Sequence, residues 1–198
     1  LGPGIFVTSN TGYMDLPSQV YSLFSSTNAW SVSLWGSFPG LASAGHLFGV
    51  NTNGSYQCYG ANLNANADGS VTGYHGNCTN TETIFNTNTG VISSSGWYHI
   101  VLTFDGGSTY KIYVNAVDKQ TASGRSYTSS TMTKGQVGVS IYSGGTEGGG
   151  DRYIDEVAFW NRALSQAEVT ELYNTGVGIA YPFVVSTISI YTLMMQGF

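Results

Sequence analysis

The sequence predicts an all-β chain, a two-sheet antiparallel sandwich with one short helix near the C-terminus at about residues 165–174. Three observations lead there. Short apolar segments recur up to residue 160, several with period-two alternation, Gly, Asn, Asp and Ser stand between them, and helical periodicity is nearly absent before residue 163. Successive strands without intervening helices build sandwiches rather than α/β sheets. At 198 residues the chain can bury a full core, so one domain over 1–177 is expected, followed by an apolar strand or arm over 178–198.

In "WSVSLWGSF", residues 30–38, Trp30, Val32, Leu34 and Phe38 share one face and Ser31, Ser33, Trp35 and Ser37 the other, which is a half-buried strand. "HLFGV" (46–50) and "SYQCY" (55–59) flank Asn53-Gly54, a pair suited to a tight hairpin. "WYHIVLTF" (97–104) and "YKIYVNAV" (110–117) form a second hairpin around "DGGST", with large residues on both faces, as central strands have. "GQVGVSIY" (135–142) reads as one more strand and "GGTEGGGD" (144–151) as a loop. The helix start is marked by Ser165 as N-cap, Glu168 three residues later to close a capping box, and a Leu164–Val169 staple. Val169, Leu172 and Tyr173 give it an apolar stripe, and Asn174 to Gly176 end it.

Composition narrows the function classes. Charged residues are 9% of the chain, the net charge is -5, and no Lys/Arg run exists. Nucleic acid and anionic membranes both require clustered cations, so neither is an expected partner. Cys58 and Cys78 form a disulfide candidate, and Asn53 and Asn77 head glycosylation sequons; together they suggest an extracellular setting. The bland alternative is two small buried cysteines and chance sequons in an Asn-, Ser- and Thr-rich chain. Position 1 is Leu, so a processed chain or a fragment is expected.

Three segments carry a family resemblance. "GYMDLPSQVYSLFSSTNAWSVSLWGSF", "WYHIVLTFDGGSTYKIYVNAV" and "YIDEVAFWNRALSQAEVTELYNTG" resemble the opening strands, the W-x-H hairpin and the strand-turn-helix signature of laminin-G-like, concanavalin A-like jelly-roll domains, over about residues 5–176. The resemblance implies a jelly roll of the non-catalytic branch, on an extracellular, cell-surface or virion protein, that binds glycans or proteins or packs in an assembly. Ala116 departs from the pattern, which has Gly after "YVN".

Glycosidase chemistry needs two carboxyl groups about 5 to 9.5 Å apart across a bond. Regular alternation along 153–160 would group Tyr153, Asp155, Val157 and Phe159 against Ile154, Glu156, Ala158 and Trp160, so Asp155 and Glu156 are expected on opposite faces. Related glucanases carry E-x-D-x-x-E on one strand, and that pattern is absent here. Asp155 is expected to accept hydrogen bonds from backbone or from Arg162, tying the strand to the turn before the helix, with Glu156 solvated. His46, His75 and His99 are scattered and no G-x-S-x-G elbow accompanies them. No enzyme is expected.

Calcium is the one cofactor the sequence suggests. Asn64, Asn66 and Asp68 precede Gly69 like half of an EF-hand loop, although His75 occupies the twelfth position. Asp15, Glu147 and Asp151 are alternative rim ligands by family analogy. For glycan binding, Trp35 lies on a serine-rich strand face and Tyr56, Tyr59 and Tyr74 follow; the competing reading has Trp35 covered by the second sheet or the helix. Residues 178–198 are uncharged and β-branched, and Pro182 interrupts them, so membrane insertion is not expected and packing in cis or on a neighbouring subunit is. The leading reading is an attachment module for a glycan or surface protein; the alternative is a structural subunit of a filament, capsid or surface layer, oligomeric through that arm.

Overall fold

The computed structural model describes residues 5–7, 12–25, 27–41, 45–52, 59–76, 81–125, 131–142 and 145–179. The first sheet contains β1 (Ile5–Val7), β3 (Trp30–Ser37), β8 (Trp97–Phe104), β9 (Tyr110–Val114), β10 (Val117–Ala122) and β14 (Arg152–Trp160), in the order β1-β14-β3-β8-β9-β10. The second contains β2 (Met14–Asp15), β4 (Gly45–Asn51), β5 (Tyr59–Ala65), β6 (Val71–Gly76), β7 (Thr81–Asn86) and β11 (Lys134–Val137), in the order β2-β11-β4-β5-β6-β7. All pairings are antiparallel, and β12 (Ser140–Tyr142) and β13 (Gly145–Glu147) form a separate ribbon. The predicted helix is α2 (Gln166–Tyr173); a one-turn helix, α1 (Ser18–Tyr21), was not expected.

The core lies between the sheets. Trp30, Val32 and Leu34 of β3 enter it as their alternation requires, and Phe24 meets Trp30 edge-on at 4.7 Å while Phe104 stacks on Tyr110 at 4.5 Å. Each such ring removed from water contributes roughly 1.5–3 kcal/mol. A second, smaller core lies outside the first sheet, where Val101, Tyr113, Ala158 and Trp160 receive Leu164, Val169 and Leu172 of the helical segment. The capping box forms as expected: Glu168 N–H donates to Ser165 Oγ, and Ser165 N–H to Glu168 Oε2.

Four expectations are corrected. "GQVGVSIY" is two strands, because Gly138 takes a φ of +90° and turns the chain from β11 into β12. Residues 145–147 of the predicted Gly-rich loop pair with 140–142 as β13. Asn64, read above as the start of an EF-hand-like loop, lies on a strand, β5, which runs to Ala65. The alternation along β14 breaks at a β-bulge: Asp155 pairs with Trp35 and Ala158 with Ser33, so three steps on β14 oppose two on β3, with Glu156 at a φ of +47°. Ile154, Val157 and Phe159 therefore all face the core, while Ala158 and Trp160 face outward with Asp155.

Candidate functional site

The outer face of the first sheet is closed. Trp35, 2% exposed, stacks on Tyr173 of α2 at 5.9 Å and lies 5.2 Å from the His99 ring. Trp35 thus leaves the set of exposed aromatics; the helix covers it. Ser33 Oγ hydrogen-bonds His99 Nε2 at 2.8 Å, and burial lowers His99 to about 4. Among the described residues no group orients the buried Nδ1 of His99, so there the Ser33–His99 pair has no third member of the kind nucleophilic catalysis uses.

The turn before α2 is anchored differently from the expectation. Ser31, fully buried, donates to the Arg162 carbonyl and accepts from Leu164 N–H, each at 2.9 Å. Arg162 pairs with Glu168 at 2.5 and 2.9 Å, not with Asp155, and that contact holds Glu168 down to about 2. Asp155 accepts from Glu156 N–H at 2.8 Å, stabilising the bulge, and its Oδ2 is buried without a partner. Glu156 is not simply solvated: desolvation and the neighbouring Asp155 charge raise its pKa, and a Cβ at Gly178 would meet its Oε2 at 2.6 Å. The two carboxylates are thus neighbours under the chain that leaves α2, a correction that follows from the bulge.

The second sheet has a different outer face. In Ala61-Asn62-Leu63-Asn64-Ala65 the apolar residues enter the core and the asparagines turn outward. Register then aligns Asp15, Gln136, Gly49, Asn62 and Tyr74 in one row across five strands. A second row holds His46, Asn64, Thr72 and Asn86. Gln136 donates to Asp15 Oδ1 at 2.6 Å, His46 Nδ1 meets Asn62 Oδ1 at 3.0 Å, and Asn62 donates to Ser140 Oγ at 2.9 Å. Thr72 donates to Asn86. Gly49 makes room for Ser140, whose Oγ would stand 3.0 Å from any Cβ there, and so brings β12 over one side of the face. Gln136, Asn62 and Thr72 form a buried floor, His46 and Tyr74 are half-buried, and Asp15 and Asn86 are exposed. Two floor oxygens, Asn64 Oδ1 and Gln136 Oε1, are buried without a partner.

Of the residues singled out from sequence, Tyr74 and Asp15 lie on this face. Asn64 does too, but on a strand; Asn66 donates to Ser70 and Thr72, and Asp68 Oδ1 accepts the Ser70 N–H and hydroxyl, which lowers its pKa. Residues 66–70 form the tight turn between β5 and β6, in which Asn66 N–H donates to the Ser70 carbonyl and Gly69 N–H to the Asn66 carbonyl. Among the described residues no group of three or more His, Cys, Asp and Glu gathers to hold a metal, and Asp151 stands exposed beside Arg152 at the start of β14. Tyr56, Cys58, Cys78, Asn53, Asn77 and the side chains of Tyr59, His75 and Glu147 lie outside the described residues, as do 180–198. His46, Asn62, Thr72, Asn86 and Gln136 were missed, although the alternation over 61–65 signalled Asn62.

The family model described as the concanavalin A-like lectin/glucanases superfamily matches residues 8–170. The chain belongs to that superfamily. Among solved structures it is similar to NanB sialidase from Streptococcus pneumoniae in complex with a chlorobenzyl-ammonio ethanesulfonate, with a TM-score of 0.69 and 18% identity over 86% of this chain and 28% of that one. It therefore spans less than a third of the NanB chain. The superfamily fold also matches the CBM40 of Ruminococcus gnavus IT-sialidase bound to α2,3-sialyllactose, with a TM-score of 0.67 and 17% identity over 85% and 95% of the two chains. At such identities the likeness is one of fold. No curated protein sequence matches.

Proposed function

We propose that this chain is a non-catalytic glycan-recognition module that binds on the outer face of its second sheet, in a protein displayed outside the cell or on a virion. The observation that carries the reading is the pair of transverse rows, in which planar amides, a hydroxyl, an imidazole and the Tyr74 ring share one face opposite the helix-covered one. Sugars combine hydroxyl rims with apolar ring faces, and amides with an aromatic ring match both. The sialyllactose in the CBM40 structure supports the class of ligand by analogy of fold alone.

A glycan array with and without calcium, followed by titration of the hits, tests this. Tyr74→Ala is expected to weaken binding about tenfold while the thermal transition stays within a few degrees. Glu156→Gln is expected to leave binding unchanged, since that carboxylate lies on the other sheet. An array blank under both conditions would overturn the reading.

The assembly alternative draws on one observation: Val117 and Val177 are 52% and 64% exposed, and an open groove lined by Ala116, Val117, Tyr173 and Ile179 lies where the uncharged C-terminal segment begins. Truncation after Ile179 that leaves particle size unchanged would count against it.

A further inference from the structure

We infer that the site on the second sheet takes an uncharged, hydroxyl-rich sugar and rejects one bearing a carboxylate. This rests on the glycan reading above and adds the ligand's charge class. The lysines and arginines can all be placed, because the sequence holds only six and all six are described.

Arginine is the side chain that holds a carboxylate by two parallel hydrogen bonds, and none of the three arginines is free to do so on this face. Arg152 is 1% exposed, and its guanidinium donates to the carbonyls of Gly138, Gly148 and Gly150. Arg162 is paired with Glu168 beside the helix of the opposite face. Arg125 follows β10 at the edge of the first sheet, where its backbone N–H donates to the Ser108 carbonyl. Of the lysines, Lys111 pairs with Asp118 at 3.5 Å across the edge hairpin of the first sheet, and Lys119 stands exposed on β10 of the same hairpin. Lys134 alone lies on the second sheet; two residues before Gln136 on β11, it shares the outer face but stands opposite Asn51, one row beyond the first.

The charge inside the rows has the opposite sign. Asp15 is exposed at the end of the first row, hydrogen-bonded to Gln136, and the whole chain carries -5. An incoming carboxylate would meet that field in a site with no bidentate partner. Among the buried atoms of the floor, the two left without a partner, Asn64 Oδ1 and Gln136 Oε1, are both acceptors. Sugar hydroxyls supply donors and a carboxylate supplies none.

The test uses the whole chain and matched ligands: a panel of neutral oligosaccharides and the same structures capped with sialic acid or carrying a uronic acid, titrated at physiological and at low salt. Neutral members are expected to bind, and each acidic counterpart to bind at least about tenfold more weakly, with the gap widening at low salt. Lys134→Ala is expected to leave neutral binding unchanged. Tighter binding of the acidic members would overturn this inference while leaving the glycan reading standing, and its loss in Lys134→Ala would identify the ammonium as the contact. Binding of no member would overturn both.

Discussion

On the first sheet, Ser31, Ser33, Trp35 and His99 face outward beneath α2; on the second, Gln136, Asn62, Asn64 and Thr72 face outward, and among the described residues no helix lies above them. Both faces are polar strand positions at the sequence level. Under the helix, the hydroxyls and the imidazole are used up internally: Ser31 pins the turn, Ser33 meets His99, and Trp35, His99 and Tyr173 pack on one another as a three-ring cluster. On the second sheet two buried acceptor oxygens are left without a partner and the Tyr74 ring is half-exposed. What lies above a sheet face decides whether its polar side chains serve the fold or a ligand.

The largest expected effect lies on the closed face. Trp35→Ala removes the largest ring of the cluster with His99 and Tyr173 and is expected to destabilise by about 3–5 kcal/mol in denaturant melts. A folded Trp35→Ala protein of normal stability that lost sugar binding would reverse the comparison.

His99 gives the next. Its folded pKa of about 4 lies below the free value, so the unfolded chain binds the extra proton first as pH falls. Its contribution is complete above about pH 6.5 and is lost between there and about pH 4, amounting to about 3 kcal/mol, and His99→Gln should flatten that part of a stability–pH profile. Ser165→Ala removes the cap that starts the covering helix and should cost about 1 kcal/mol. Smallest is Asn64→Leu on the open face: it deletes an unpartnered oxygen from a strand, so unfolding free energy is expected to hold or rise by about 0.5 kcal/mol while glycan affinity falls.

The sandwich and its helix were legible because their signals are local and redundant. Ser165 and Glu168 specify a cap by spacing alone, and Trp30, Val32 and Leu34 specify a buried face. The open face was legible in part. Asn62 and Asn64 alternate with Ala61, Leu63 and Ala65, yet asparagine disfavours strands and favours turns, which drew the segment toward a calcium loop. Its alignment with Gln136 and Tyr74 depends on register between strands far apart in sequence, which no single segment encodes. The bulge was not legible, because a left-handed Glu156 carries neither of the usual markers, Gly or Asn.

That bulge gives β14 one residue of slack. With Glu156 deleted, Ile154 would still point inward, Asp155 outward and Val157 inward, so every neighbour would keep its face and only the kink and the Gly178 contact would be lost. β3 has no such reserve: its pairing with β8 runs unbroken from Trp30 to Ser37, and losing one residue there would exchange Val32 and Leu34 with serines. Two adjacent strands of one sheet therefore differ in their tolerance of a shortened chain, and length variation is expected to concentrate on β14.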